Sequence, residues 1–105
     1  MKKNIFDYFV KKVSREFLIT EEDLMTKSKR RDIVDARHLL YYLCFHRPMQ
    51  IRYIQEYMSG YGYNVGHSTI IHGIDVVSDK VESDEDYQKI VESLSHTQGV
   101  DFATA

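Results

Sequence analysis

Apolar residues recur every three or four positions along most of this chain, the spacing of helices that bury one face. Ile5, Phe6, Phe9, Val10, Val13 and Phe17 predict an amphipathic helix over roughly residues 4–18. Thr20-Glu21-Glu22-Asp23 reads as the start of a second helix. The Thr20 hydroxyl can accept from the first unpaired N–H groups, and acidic residues suit the positive end of a helix. Only Leu24 and Met25 follow as anchors, so this helix is short. Ile33, Val34, Ala36, Leu39, Leu40, Leu43 and Cys44 give a third helix, roughly 31–46, with an apolar face wide enough for the buried centre of a bundle. Pro48 follows its end. Ile51, Ile54, Tyr57 and Met58 predict a short helix over roughly 51–58, and Ser59-Gly60-Tyr61-Gly62-Tyr63-Asn64 a turn. Ile70, Ile71, Ile74 and Val77 are expected to face the core from a helix over roughly 67–80. Ser83 is expected to cap a last helix, roughly 84–95, with Tyr87, Ile90, Val91 and Leu94 inward. Strand alternation is nearly absent. The fold class is therefore all-α, a compact bundle of about six helices, forming a single domain over 1–96 with a flexible tail over 97–105.

Composition narrows the function classes. A chain of 105 residues holds one core, and no apolar run approaches the length of a bilayer span. The single cysteine, Cys44, lies in an apolar run and reads as a small core residue. A soluble, cytoplasmic protein is expected, with no membrane partner. His67 and His72 are five apart, which does not align two ligands on a helix, and no cysteine is near, so no metal site is expected. No nucleophile–base pair or paired carboxylates can be argued, and acidic residues 82–86 read as a solvated run. The expectation is a non-enzyme without cofactors.

The net charge of −2 does not by itself favour a nucleic-acid partner, but its distribution does. Residues 24–54 hold seven basic and two acidic side chains, a net of +5, whereas residues 75–105 hold two basic and eight acidic, a net of −6. One face of such a molecule can meet phosphates while another repels them. The bland reading is that both runs are solvated faces.

The order short helix, Gly-containing turn, helix from about 67 is that of a helix-turn-helix, whose second helix enters the major groove N-terminus first. That tip presents His67, Ser68 and Thr69, short donors and acceptors with a methyl group that can touch thymine. The plain alternative is a helix start in which Ser68 or Thr69 is only the cap.

The stretch Asp23-Leu24-Met25-Thr26-Lys27-Ser28-Lys29-Arg30-Arg31, followed by Ala36-Arg37-His38 and an apolar run, resembles the C-terminal DNA-binding domain (domain IV) of the bacterial replication initiator DnaA, a Trp-repressor-like helix-turn-helix. Gly66-His67-Ser68-Thr69-Ile70-Ile71-His72-Gly73 is similar to that family's signature D-H-[ST]-T-V-x-H-A. The resemblance covers about residues 5–95 and implies that the basic link reaches a minor groove, the Arg-Gln pair of the central helix contacts DNA, and the His-Thr-Thr tip reads the major groove. By position it assigns Lys29 to the minor-groove arginine, with Lys27, Arg30 and Arg31 beside it, Arg37 and His38 to the Arg-Gln pair, and His67, Ser68 and Thr69 to the tip. His72 corresponds to a histidine packed within the recognition helix, a structural role.

There are departures. Gly66 replaces the acidic residue before the histidine, Lys29 replaces an arginine and lacks its planar fork, and the turn Ser59–Val65 is longer than the family's. No Gly-x-x-x-x-Gly-Lys cradle is present, so these residues cannot themselves switch with ATP. The resemblance implies a sequence-specific binder of double-stranded DNA at DnaA-box-like sites, a stand-alone module acting in replication initiation or its regulation, of a kind that suits a phage. The rival expectation is a protein-interaction adaptor or transcriptional repressor that keeps the fold. Tyr61 and Tyr63 either touch the DNA backbone or cover the core.

Overall fold

The computed structural model describes residues 2–95 as six helices, with no strand among the described residues. They are α1 (Lys2–Glu16), α2 (Glu21–Leu24), α3 (Arg31–Phe45), α4 (Ile51–Gly60), α5 (His67–Ser83) and α6 (Glu85–Ser95). The expected tail, 97–105, lies outside the described residues.

Helix α3 is the centre. Its residues Ala36, Leu39, Leu40, Tyr41, Leu43 and Cys44 are buried, and all five other helices pack against it. Phe6, Phe9, Val10 and Val13 of α1 close one side, and Ile70, Ile74 and Val77 of α5 the other. Burial pushes the Cys44 thiol well above its ordinary pKa, as befits an inert core cysteine.

Two helix ends share one device. After α4, the Tyr63 N–H bonds the Met58 carbonyl and the Gly62 N–H that of Ser59, both at about 3 Å. This is a Schellman closure, with Gly62 at φ +86° in the left-handed slot that lacks a penalty only for glycine. After α1, Ile19 bonds Ser14 and Leu18 bonds Arg15 in the same pattern, but the left-handed residue is Leu18, at φ +54° and 92% exposed. That closure ends α1 at Glu16 instead of the expected 18.

The Thr20 cap is present in full. Thr20 Oγ1 accepts from the Asp23 N–H at 2.9 Å, and the Asp23 carboxylate accepts from the Thr20 N–H. The expected Ser83 cap is displaced by one residue. The Asp84 carboxylate accepts from the N–H groups of Asp86 and Tyr87, while Ser83 donates back to the Asp79 carbonyl inside α5. An ionised carboxylate at a helix start is the stronger acceptor.

Helices α3 and α5 approach closely at Gly73. A β-carbon there would lie 2.8 Å from His38 Cδ2 and 3.0 Å from Tyr41 Cδ2. Glycine is what lets α5 sit this near the central helix. The expectation that Ile70, Ile71 and Ile74 all face inward is corrected at one position: Ile71 is 40% exposed, and Gly73 takes the buried place beside Ile70, Ile74 and Val77.

Candidate nucleic-acid interface

Helix α4, the turn and α5 form the helix-turn-helix. The turn is long but fixed. Gln55 Nε2 donates to the Val65 carbonyl at 2.9 Å, Val65 is buried, and Tyr61 Oη donates to the Asp7 carboxylate of α1 at 2.8 Å. Tyr61 therefore covers the core and anchors the turn to α1. This fixing matters because the turn aims the helix that follows.

Helix α5 opens at His67 with Gly66 as N-cap and no side-chain cap. Ser68 and Thr69 lie inside the first turn, so the alternative in which either is the cap is not realised. The first N–H groups of the helix keep no intrahelical partner and face solvent with the exposed side chains of His67, Ser68 and Thr69. Such a tip accepts an anion. Along the same stripe, four and three residues apart, Ser68 is followed by His72, Asp75, Asp79 and Glu82, all exposed.

The basic link runs from Thr26 to Arg30, and its shape is set from beneath by Arg37. This side chain is only 6% exposed. Its guanidinium donates to the carbonyls of Thr26, Ser28 (2.6 Å) and, more distantly, Leu24 (3.5 Å). The fork-like donors of arginine suit several carbonyls at once, which is how a buried cation is tolerated without a carboxylate. The DNA contact that the resemblance implied for Arg37 is not what its geometry favours: its guanidinium is turned inward onto the link carbonyls, and the neighbouring Asp35 faces Arg31 at 3.5 Å and Lys80 at 3.7 Å.

The four cations in and just after the link, Lys27, Lys29, Arg30 and Arg31, are exposed, in two classes. Arg30 forks onto Asp32 with both contacts at 2.9 Å, which holds the Asp32 carboxyl below its ordinary pKa. Arg31 faces Asp35. These pairs are solvent-exposed, so opening them toward a phosphate costs little. Lys27 and Lys29 make no hydrogen bond or ion pair among the described residues.

Link and tip meet. Lys27, Ser28, Lys29, Arg37, His38, Tyr63 and Thr69 line a single groove of about 330 Å³. His38 lines it, half-buried, with Nδ1 unpartnered among the described residues and its ring edge-on to His72 at 5.7 Å. Burial foremost, then His72, holds the His38 imidazole below its ordinary pKa; Lys80 and Arg37 act in the same direction and Asp35 opposes them. The structural role expected for His72 is only half met, since its ring leans on His38 but is exposed. Of the two readings offered for Tyr63, it lines this groove, and Ile71, expected in the core, is exposed on α5 instead. The sign for Ile71 was Gly73, whose place in the i, i+3, i+4 series leaves no inward slot for residue 71.

Residues 6–77 match the family model described as the bacterial dnaA protein helix-turn-helix. The match runs from α1 into α5 and so includes the link, α3 and both arms of the helix-turn-helix. Three relatives each bear the name chromosomal replication initiator protein DnaA. That of Porphyromonas gingivalis is 32% identical over 81 residues, 76% of this chain and 16% of its own length. That of Flavobacterium psychrophilum is 28% identical over 92 residues, 85% of this chain and 18% of its own. That of Leptospira biflexa is 27% identical over 78 residues, 74% of this chain and 17% of its own. The chain thus spans less than a fifth of the length of these relatives.

Proposed function

This chain belongs to the bacterial DnaA helix-turn-helix family, and from that premise we propose that it binds double-stranded DNA sequence-specifically, at sites resembling the DnaA box, in replication initiation or its regulation. Occupying boxes that a full-length initiator also uses is the simplest way for such a module to act. The reading is one of binding, without catalysis.

The observation that carries it is the shared groove. Two elements with opposite talents open onto one concavity: a cationic link suited to phosphates and a minor groove, and an uncapped helix tip suited to base edges. Lys27 and Lys29 supply charge without a competing carboxylate, and Arg30 and Arg31 can join by opening exposed ion pairs. His67, Ser68 and Thr69 provide the reading edge, and His38 stands between the two.

The test is anisotropy of labelled duplexes, one carrying a box and one scrambled, across a salt series. Each phosphate neutralised contributes about 0.9 to the slope of log affinity against log salt. Lys29→Ala is expected to weaken both duplexes alike and to lower the slope by about that amount. Thr69→Ala is expected to leave the slope alone and to shrink the preference for the box. Wild type and both variants binding both duplexes equally would sink the assignment.

A further inference from the structure

The groove has a floor that no sequence pattern announces. Arg37 grips the link from below through the carbonyls of Thr26 and Ser28, and its guanidinium carbon also lies 4.9 Å from the centre of the Tyr63 ring. Tyr63 is the last residue of the Schellman closure after α4 and stands four residues before the tip of α5. One buried cation thus touches both DNA-facing elements: the link by hydrogen bonds, the helix-turn-helix by a ring face.

We propose that Arg37 and Tyr63 are positioning residues, a buckle that fixes the basic link relative to the recognition helix and so sets the spacing at which this protein reads two neighbouring grooves. This rests on the DNA-binding reading above and deepens it. The turn between α4 and α5 supplies the tyrosine, so the segment that aims the recognition helix also touches the residue that holds the link. Three features make the contact stiff. Arg37 is almost wholly buried, and both its terminal nitrogens donate to backbone carbonyls, which holds it in place. Tyr63 has its N–H bonded to Met58, and Gly62 at φ +86° fixes the chain direction at the ring. A guanidinium against an aromatic face is attractive and gains when it is shielded from water. Lys27 and Lys29, exposed and each directly following a residue whose carbonyl Arg37 holds, then present their charges at a set distance from Thr69.

The variants are Tyr63→Leu, which keeps apolar cover but removes the ring face, and Tyr63→Phe, which keeps the face. Neither changes charge, and both remove the hydroxyl, so a direct contact of that hydroxyl with phosphate would be lost in both variants alike. Duplex affinity should fall about fivefold in Tyr63→Leu and stay at the wild-type value in Tyr63→Phe. In a Lys27→Ala/Lys29→Ala background the Tyr63→Leu loss should shrink, because the ring acts through the link that carries these lysines. In the free protein, Tyr63→Leu should speed hydrogen exchange of amides 26–30 while the amides of α3 keep their protection. Three results would overturn the proposal: equal losses in Leu and Phe variants, a Tyr63→Leu loss undiminished without the two lysines, or link amides that exchange at the wild-type rate in Tyr63→Leu. Failure of the wild type to bind either duplex would instead overturn the DNA-binding reading, and the buckle as a DNA-positioning device with it, whatever the amides do.

Discussion

Replacing Gly73 by alanine sets two effects against each other, and the geometry decides the sign. In an isolated helix alanine is favoured over glycine by about 1 kcal/mol. At this position the new β-carbon would sit 2.8 and 3.2 Å from two atoms of the His38 ring and 3.0 Å from Tyr41 Cδ2. Real β-carbons do not approach other atoms at 2.8 Å, so α5 must move off α3 or a ring must turn. Tyr41 is 1% exposed and has nowhere to go. Overpacking of this kind costs roughly 1–3 kcal/mol. The balance is a destabilisation of about 1 kcal/mol, or a fall of about 4–8 °C in Tm for a domain of this size. Two of the three close atoms belong to His38, so in a His38→Ala background the penalty of the same change should shrink. Thermal unfolding followed by circular dichroism, on the two single variants and the double, measures the coupling. A Tm for Gly73→Ala at or above the wild-type value in both backgrounds would mean that propensity wins unopposed, and that α3 and α5 are not in contact here.

Other expectations concern single side chains. The pKa of His38 is lower in the folded chain than in the unfolded one, so its contribution to stability is full above about pH 6.5, the unfolded value, and is lost as pH falls through the lower folded value. His38→Gln should flatten that part of the stability–pH curve, read from urea midpoints between pH 5 and 8; an unchanged curve would count against the buried imidazole. The two Schellman closures predict opposite signs. Gly62→Ala forces a side chain into the left-handed slot and should cost about 1–2 kcal/mol, whereas Leu18→Gly relieves it and should gain about 0.5–1 kcal/mol after the entropy of glycine is counted. Denaturant midpoints moving the same way for both would contradict the shared motif.

Much of this was legible in the sequence, for physical reasons that can be named. Helix periodicity placed α1, α3, α5 and α6, because each buries a continuous stripe, and Thr20 announced its own cap. The tip of α5 was legible because polar residues directly precede an apolar series. What escaped depended on partners far along the chain. Arg37 falls at an inward position of α3, between Ile33 and Leu40, yet its charge argued for the surface. Only the folded link, bringing three carbonyls together over it, makes burial tolerable. The left-handed Leu18 and the one-residue shift from Ser83 to Asp84 were invisible for a related reason. A helix end is chosen by competing local hydrogen bonds, and several neighbouring residues can supply them.

The stripe that begins at Ser68 turns acidic within about 10 Å, the rise from Ser68 to Asp75 at 1.5 Å per residue. Beyond that point Asp75, Asp79 and Glu82 present carboxylates where a duplex would present phosphates. A rod of this kind can point into a groove but cannot lie along one. On the DNA-binding reading proposed above, the acidic half would act as a stop against deep insertion of α5, confining base reading to its first two turns.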